Sequence, residues 1–293
     1  MNNIRYTAVI ATVSNSFCDA VLDYSVNKFN YHKVLLLTAL TAMLGQIIVG
    51  LFTGISISLP SLPYITIHAI VILAGYICFI KSLKYIPVAL VGLTEAGSLF
   101  LTFIIDAAIG YIEISLQFTA LLFLFIFSIF LFTGNCTQDT KNCIKTVKPV
   151  GFVLVLLSVL FYLTAPYLVK ISERHGANEI SINLGYYAVA VPYFLYQYLK
   201  HKKSQTSLSA PTSKWWNNLY ILCFIIGTLE ALYYVFETIS FINDIPTVVI
   251  IISQMRIFLL FILSVIFKTD NFTLKKLLAL ILGSISVIGV YLT

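Results

Sequence analysis

The chain has 293 residues, of which 59% are hydrophobic, 14% are aromatic and only 10% are charged. Soluble domains carry about 25% charged residues and about 45–50% apolar ones. The 18 basic and 12 acidic side chains are too few to cover a soluble globule of this length. The composition argues against a soluble enzyme, a disordered chain and a disulfide scaffold. Together with a mean hydropathy of +0.95, it predicts an all-α polytopic membrane protein.

Apolar segments separated by charges, prolines and polar clusters predict ten transmembrane helices, because a helix needs about 20 apolar residues to cross the bilayer core. No acidic residue, lysine or arginine occurs between Lys33 and Lys81, and the motif LPSLP divides this stretch into two spans. The runs do not alternate as the strands of a membrane barrel do. In chain order, the predicted spans are Tyr6–Leu22, Val34–Phe52, Tyr64–Ile80, Val88–Ala108, Leu116–Phe132, Val150–Val169, Ile180–Leu199, Trp216–Thr238, Thr247–Phe267 and Leu274–Leu292.

Two connections between these spans are long and polar. Residues 135–148 carry three lysines and separate a first five-helix repeat (1–134) from a second one (149–293). The other connection, Lys200–Lys214, is followed by Trp215 and Trp216, which we interpret as anchors at the headgroup boundary.

A weak internal repeat relates the two halves: Ser82–Leu101 aligns with Phe241–Leu260 at a constant offset. In this alignment Ile86-Pro87 matches Ile245-Pro246, Glu95 matches Gln254 and Gly97 matches Arg256. Each half contains an odd number of predicted helices, so two halves in tandem cross the membrane in opposite senses. This inverted repeat is typical of transporters, whose solute site lies near the midplane between the halves.

Two segments resemble the drug/metabolite transporter superfamily, specifically its ten-helix EamA-type members. They are KSLKYIPVALVGLTEAG (Lys81–Gly97) and GYIEISLQFTA (Gly110–Ala120). The second segment matches the family's glycine–x–x–Glu–x–Ser/Thr turn at Gly110, Glu113 and Ser115. The resemblance implies two inverted five-helix repeats and transport of a small solute, but it does not indicate which solute.

The sequence departs from this family in two places. The related four-helix proteins carry a membrane glutamate in their first helix, for which Asp19 is the nearest counterpart here. In the second half, Asp270-Asn271-Phe272-Thr273 stands where Glu113 and Ser115 stand in the first.

Lysine and arginine are distributed unequally among the connections. The loops after predicted helices 1, 3, 5, 7 and 9 contain fourteen of these residues, whereas the opposite side has Arg5, Lys170 and Arg174. Cytoplasmic loops carry such an excess. We therefore predict that the lysine-rich loops are cytoplasmic and both termini lie outside, although family members commonly keep both termini in the cytoplasm. A bacterial inner membrane is the expected location.

Charged side chains inside the predicted spans are candidates for function, because a charge at mid-bilayer costs about 2.5–3.5 kcal/mol on insertion scales. Glu95, Glu230 and Arg256 lie deepest, and we interpret the two glutamates as lining a substrate or proton pathway. Arg256 either binds a carboxylate or phosphate of the solute or forms a structural ion pair with Glu230 or Glu95. Gln254, Tyr234 and Asp19 complete the predicted site.

A second tier of candidates has a simpler interpretation beside the functional one. Asp106 and Glu237 lie nearer helix ends, where a charge can be solvated. His68 is either a hydrogen-bonded core histidine or a proton relay. The many tyrosines are expected mainly to pack or to face lipid, and an aromatic cage for an organic cation is the alternative.

We therefore predict a secondary, proton-coupled transporter of a small organic solute, bound between predicted helices 3, 4, 8 and 9. Five acids at membrane depth against one base favour a cationic or zwitterionic metabolite, such as an amino acid, an amine or a nucleoside-like compound. Efflux of neutral or cationic drug-like compounds is the alternative, and a lipid-modifying membrane enzyme is a remote one. No nucleophile elbow, phosphate loop or zinc motif occurs. We expect no cofactor, metal or nucleic-acid partner, contact with membrane lipids, and a monomer or homodimer.

Overall fold

The computed structural model of the protein describes residues 2–82, 85, 88–133, 149–201, 218–259, 262 and 273–292. Within these ranges, the side chains at 2–5, 23–24, 26–27, 88–98 and 291–292 are not described. The predictions on the Glu95 side chain, on Trp215 and Trp216, and on residues 135–148 and 270–272 therefore lie outside the described residues.

The described chain contains helices and no strand, which confirms the all-α prediction. A short 3-10 turn, Leu59–Ser61, precedes the third helix. In chain order the ten α-helices are α1 (Asn2–Lys28), α2 (Tyr31–Thr53), α3 (Leu62–Ser82), α4 (Val88–Ile109), α5 (Leu116–Thr133), α6 (Pro149–Arg174), α7 (Glu179–His201), α8 (Leu219–Asn243), α9 (Pro246–Ser253) and α10 (Leu274–Leu292).

Within the described residues, four stretches are long and apolar enough to cross a membrane: α2, α3 with its preceding 3-10 turn, α6 and α8. Shorter apolar helices occur at Leu99–Ile109, Leu116–Phe132 and Pro246–Leu259. Many large hydrophobic side chains on these helices face outward, including Leu51, Phe52, Leu116 and Phe224. Soluble proteins rarely expose apolar surface on this scale. Length, composition and exposed apolar surface thus indicate a membrane protein.

The turn between α4 and α5 has the conformation that its sequence requires. Gly110 follows the last residue of α4 with a φ of 83°, a left-handed conformation that glycine adopts without steric cost. Ser115 then caps α5, because its Oγ accepts a hydrogen bond from the Phe118 backbone N–H at 3.1 Å. Glycine thus ends one helix and serine starts the next, as is usual for helix termini.

By its internal contacts the chain forms two compact units. Unit 1 comprises Met1–Arg5, Val71–Tyr167 and Asn243–Thr293, and unit 2 comprises Tyr6–Ile70 and Leu168–Ile242. Each unit combines segments from before and after residues 135–148. The units are therefore not the sequence halves 1–134 and 149–293, and the five-helix repeats remain a prediction.

Unit 1 is built around α5 and α10, which pack on each other, with α4 and α9 beside them. Gly283 on α10 lets the Phe258 ring come close, since a Cβ at Gly283 would lie only 2.5 Å from the ring. Phe258 in turn meets the ring of Phe125 edge-on, with ring centroids 6.4 Å apart. Glycine and aromatic side chains thus fill this core together, as in other closely packed membrane helices.

Unit 2 is built on α2 and α7, which pack on each other. Each helix has 23 residues and begins directly after an asparagine, Asn30 or Asn178. Both asparagine Oδ1 atoms accept a backbone N–H three residues later, from Lys33 and Ser181 respectively, at 3.1 Å. The two helices therefore start with the same cap.

Helix α8 approaches α2 closely at Gly227. A Cβ at this position would lie 2.6 Å from Thr41 Cβ and 2.8 Å from the Thr38 backbone carbonyl oxygen. Because a backbone atom cannot rotate away, we expect Gly227→Ala to destabilise the protein by about 1–3 kcal/mol, the usual cost of overpacking. The measurement is the midpoint of thermal unfolding of the purified protein.

Gly289→Ala is the matched control for this substitution. Its Cβ would also meet an atom at 2.6 Å, but that atom is Leu121 Cδ2, the end of a flexible side chain. We expect a smaller loss of stability than in Gly227→Ala. Equal melting temperatures for the two variants would contradict the close approach of α8 to α2.

Candidate functional site

Helix α8 carries the glutamate that the sequence analysis placed deepest in the second half, and α1 runs beside it. Two contacts fix this arrangement: Thr7 Oγ1 lies 2.6 Å from Ser240 Oγ, and Cys18 Sγ lies 3.8 Å from the Ile226 carbonyl oxygen. Residue numbers rise along α1 as they fall along α8, so the helices are antiparallel. Glu230 lies one turn beyond Ile226. Asp19, next to Cys18, lies within electrostatic interaction distance of Glu230.

Asp19 and Glu230 are close enough for their charges to interact, and both side chains are half-buried. Two like charges within interaction distance are unfavourable unless a cation or a proton compensates one of them.

Tyr186 and Tyr187 on α7 and Tyr234 on α8 lie near Glu230. Together with Tyr233, whose ring contacts that of Tyr234, we call them the tyrosine cluster. Their ring centroids lie 5.1 Å (186–187), 5.3 Å (186–234), 5.9 Å (187–234) and 4.9 Å (233–234) apart. Tyr186 and Tyr234 share a hydrogen bond. Tyr187 directs its hydroxyl at Glu230 Oε1 across 3.5 Å, a long hydrogen bond.

This arrangement suits a positively charged ligand. The faces of tyrosine rings attract cations through their quadrupole, by about 0.5–2 kcal/mol depending on desolvation. Carboxylates supply the opposite charge, and the hydroxyls donate or accept hydrogen bonds as needed. Among the described residues, no group of three or more His, Cys, Asp or Glu side chains could hold a metal ion. Carboxylates, ring faces and hydroxyls are groups that can bind an organic cation.

Glu237 and His68 also lie in unit 2, and Glu237 is bonded to Tyr233 of the tyrosine cluster. The Tyr233 hydroxyl donates a 2.6 Å hydrogen bond to Glu237 Oε1, four residues along α8. His68 on α3 is buried, and its Nδ1 has no hydrogen-bond partner among the described residues.

Asp106, the other second-tier acid, lies in unit 1 and is completely buried rather than solvated at a helix end. Its Oδ2 accepts the Thr247 backbone N–H at 2.8 Å and the Thr247 hydroxyl at 2.6 Å. Its Oδ1 accepts the Tyr167 hydroxyl at 2.9 Å. Thr247 is the second residue of α9. Asp106 thus caps α9 from another helix, where a negative charge is favourable at the N-terminus.

The ninth predicted span is not one continuous helix. Pro246 begins α9 at its first turn, as its sequence predicted, but α9 ends at Ser253. Gln254 and Met255 form a turn, and helical backbone resumes at Arg256. Gln254 Oε1 is buried without a hydrogen-bond partner among the described residues, and Arg256 is half-buried. The predicted span Thr247–Phe267 therefore contains a turn at Gln254 and Met255.

The structure therefore distributes the predicted site residues over two units. Asp19, Glu230 and Tyr234 come together in unit 2, whereas Asp106, Gln254 and Arg256 belong to unit 1. Sequence reasoning missed Tyr186 and Tyr187. The available signal was a pair of adjacent tyrosines in the seventh segment that matches a second pair, Tyr233-Tyr234, in the eighth.

Comparison with known proteins shows a shared fold and no established relative. No protein-family model and no curated protein matches this chain. A protein of known crystal structure is similar to it over 99% of this chain and 97% of its own length, with a TM-score of 0.70 and 18% sequence identity. At that identity the similarity concerns the fold alone.

Proposed function

We propose that this protein is a secondary transporter of a small organic solute that carries a positive charge, as a cation or as a zwitterion. The observation that carries the proposal is the site formed by Asp19, Glu230 and the tyrosine cluster. Acidic side chains inside apolar helices are costly and usually mark a substrate or ion pathway. In this site, a carboxylate pair is combined with aromatic faces that favour a cation.

Glu230 is the proposed coupling residue. Its surroundings include Asp19, Cys18 and the hydroxyls of Tyr186, Tyr187 and Tyr234. Two neighbouring carboxylates bind one cation or one proton more readily than either carboxylate alone. A site of this kind can exchange a proton for the positive charge of the solute, which couples transport to the proton gradient.

The architecture proposed for this function has ten membrane spans in two inverted five-helix repeats that alternate access to the solute. The equal lengths and matching asparagine caps of α2 and α7 support an internal repeat. The similarity of the loop motifs to EamA-type members of the drug/metabolite transporter superfamily supports the same architecture. We place the protein in a bacterial inner membrane with its lysine-rich loops in the cytoplasm.

Unit 1 has a further set of polar groups at the turn that interrupts the ninth predicted span. Discontinuous helices are common at solute sites of secondary transporters, since a broken helix exposes polar backbone and side-chain groups. The turn after α9 offers the buried Gln254 amide oxygen and the half-buried Arg256. We propose that Arg256, within unit 1, binds a carboxylate or phosphate group, and that Glu95 lines a pathway on α4.

A thermal-unfolding screen of the purified protein tests this proposal. A ligand present at about 100 times its Kd stabilises the folded state by about 2.7 kcal/mol. We expect amines, amino acids or nucleoside-like cations to raise the melting temperature by several degrees, and the same compounds to have no effect on Glu230→Gln. Large lipophilic cations as the best ligands would indicate efflux of drug-like compounds. Stabilisation by anions alone would contradict the proposal.

A further inference from the structure

Asn183 on α7 is buried and only partly satisfied in its hydrogen bonding. Its Oδ1 accepts the Thr238 hydroxyl at 2.9 Å, and the two side chains are 2% and 4% exposed. Its Nδ2 has no partner among the described residues. An amide nitrogen carries two N–H groups and can only donate, and leaving such a donor unmet in an apolar interior is unfavourable.

The helical register places this amide next to the tyrosine cluster. Tyr186 and Tyr187 follow Asn183 by three and four residues on α7, and Tyr234 precedes Thr238 by four on α8. Residues three or four apart lie on the same face of a helix. The Asn183–Thr238 pair therefore lies one helical turn from the tyrosine cluster on both α7 and α8. Polar side chains thus occur on the facing sides of the two helices beyond the aromatic rings.

The rise of an α-helix sets the scale of this face. At 1.5 Å per residue, Thr238 lies about 6 Å along α8 from Tyr234 and about 12 Å from Glu230. A linear solute with its charge at Glu230 would have to span about this distance to reach Asn183. If the far end of the solute is aliphatic or aromatic, the Asn183 amide N–H groups have no hydrogen-bond acceptor. An oxygen atom at that end would accept a hydrogen bond from them.

We propose that Asn183 forms a second subsite of the Glu230 site and donates a hydrogen bond to an oxygen acceptor of the solute. The inference rests on the proposed function and narrows its substrate class. The solute is an amine that also carries a carbonyl, carboxylate or hydroxyl oxygen, separated from the nitrogen by about the distance between the two subsites. Simple alkylamines lack the second group and bind less well.

The test compares 6-aminohexanamide with n-octylamine, which has the same number of non-hydrogen atoms but no oxygen acceptor. Binding of each to the purified full-length protein is measured by titration calorimetry, in the wild type and in Asn183→Leu. Leucine is close to asparagine in shape but cannot donate. We expect Asn183→Leu to raise the Kd of 6-aminohexanamide about tenfold relative to the Kd of n-octylamine. Octylamine affinity should not weaken.

Each alternative result overturns the inference in a recognisable way. An unchanged Kd ratio means that Asn183 does not contact the acceptor, for instance because a bound water satisfies Nδ2, while octylamine binding still supports the cation site. Binding of neither probe to the wild type removes the subsite together with the proposed function. Asn183→Ala serves as a second variant, and failure of both variants to fold would show that Asn183 is structural.

Discussion

Glu230→Gln is expected to abolish proton-coupled transport while the protein remains folded and membrane-inserted. Glutamine keeps the shape of the side chain and can still hydrogen-bond the Tyr187 hydroxyl, but it cannot take up or release a proton near neutral pH. It also removes one of the two charges that attract the solute. The measurement is solute uptake into proteoliposomes with and without an imposed pH gradient.

Glu237→Gln is the matched control for this experiment. It lies on the same helix and makes the same chemical change, but Glu237 is bonded to Tyr233 rather than to Tyr187. Transport by this variant should keep most of its rate and its response to the pH gradient. Equal loss of transport in both variants would show that any acid removed from α8 disrupts the protein, and the special role of Glu230 would be lost.

Asp106→Ala is expected to cause the largest loss of stability. The substitution removes the acceptor of three hydrogen bonds and leaves the Thr247 backbone N–H and hydroxyl unmet at the start of α9. Hydrogen bonds to a charged group contribute about 1.5–3 kcal/mol each. Because such effects overlap, we expect a total loss of at least about 3 kcal/mol, seen as a lower midpoint of thermal unfolding.

Tyr167→Phe separates the contribution of one bond from that of the whole network. It removes only the hydrogen bond to Asp106 Oδ1 and should cost about 1–2 kcal/mol. A wild-type melting temperature for Asp106→Ala would contradict the capping of α9.

The helices could be predicted from the sequence because the signal is local. Long apolar runs ended by lysines, prolines and polar loops specify the described helices, and Pro246 starts α9 as expected. The turn at Gln254 could not be predicted in the same way. It lies in an apolar segment without glycine or proline nearby, and only the polar residues Ser253, Gln254 and Arg256 distinguish it.

The candidate site could be predicted only in part, because its contacts join distant parts of the chain. Glu230 is conspicuous as a charge in an apolar segment, but its proximity to Asp19 depends on the packing of α1 against α8. Asp106 was expected near water, and its burial depends on Thr247, 141 residues away. Tyr186 and Tyr187 have many possible roles in a membrane helix, and only their ring contacts with Tyr234 assign them to the cluster.

The most direct test of the account measures proton movement driven by the solute. Wild-type protein is reconstituted into liposomes that contain a pH-sensitive dye, with no pH gradient, and a compound that stabilised the protein in the unfolding screen is added outside. We predict a change in internal pH that depends on the solute and that is absent with Glu230→Gln. A solute that binds the wild-type protein and enters the liposomes without any change in internal pH would contradict proton-coupled transport at this site.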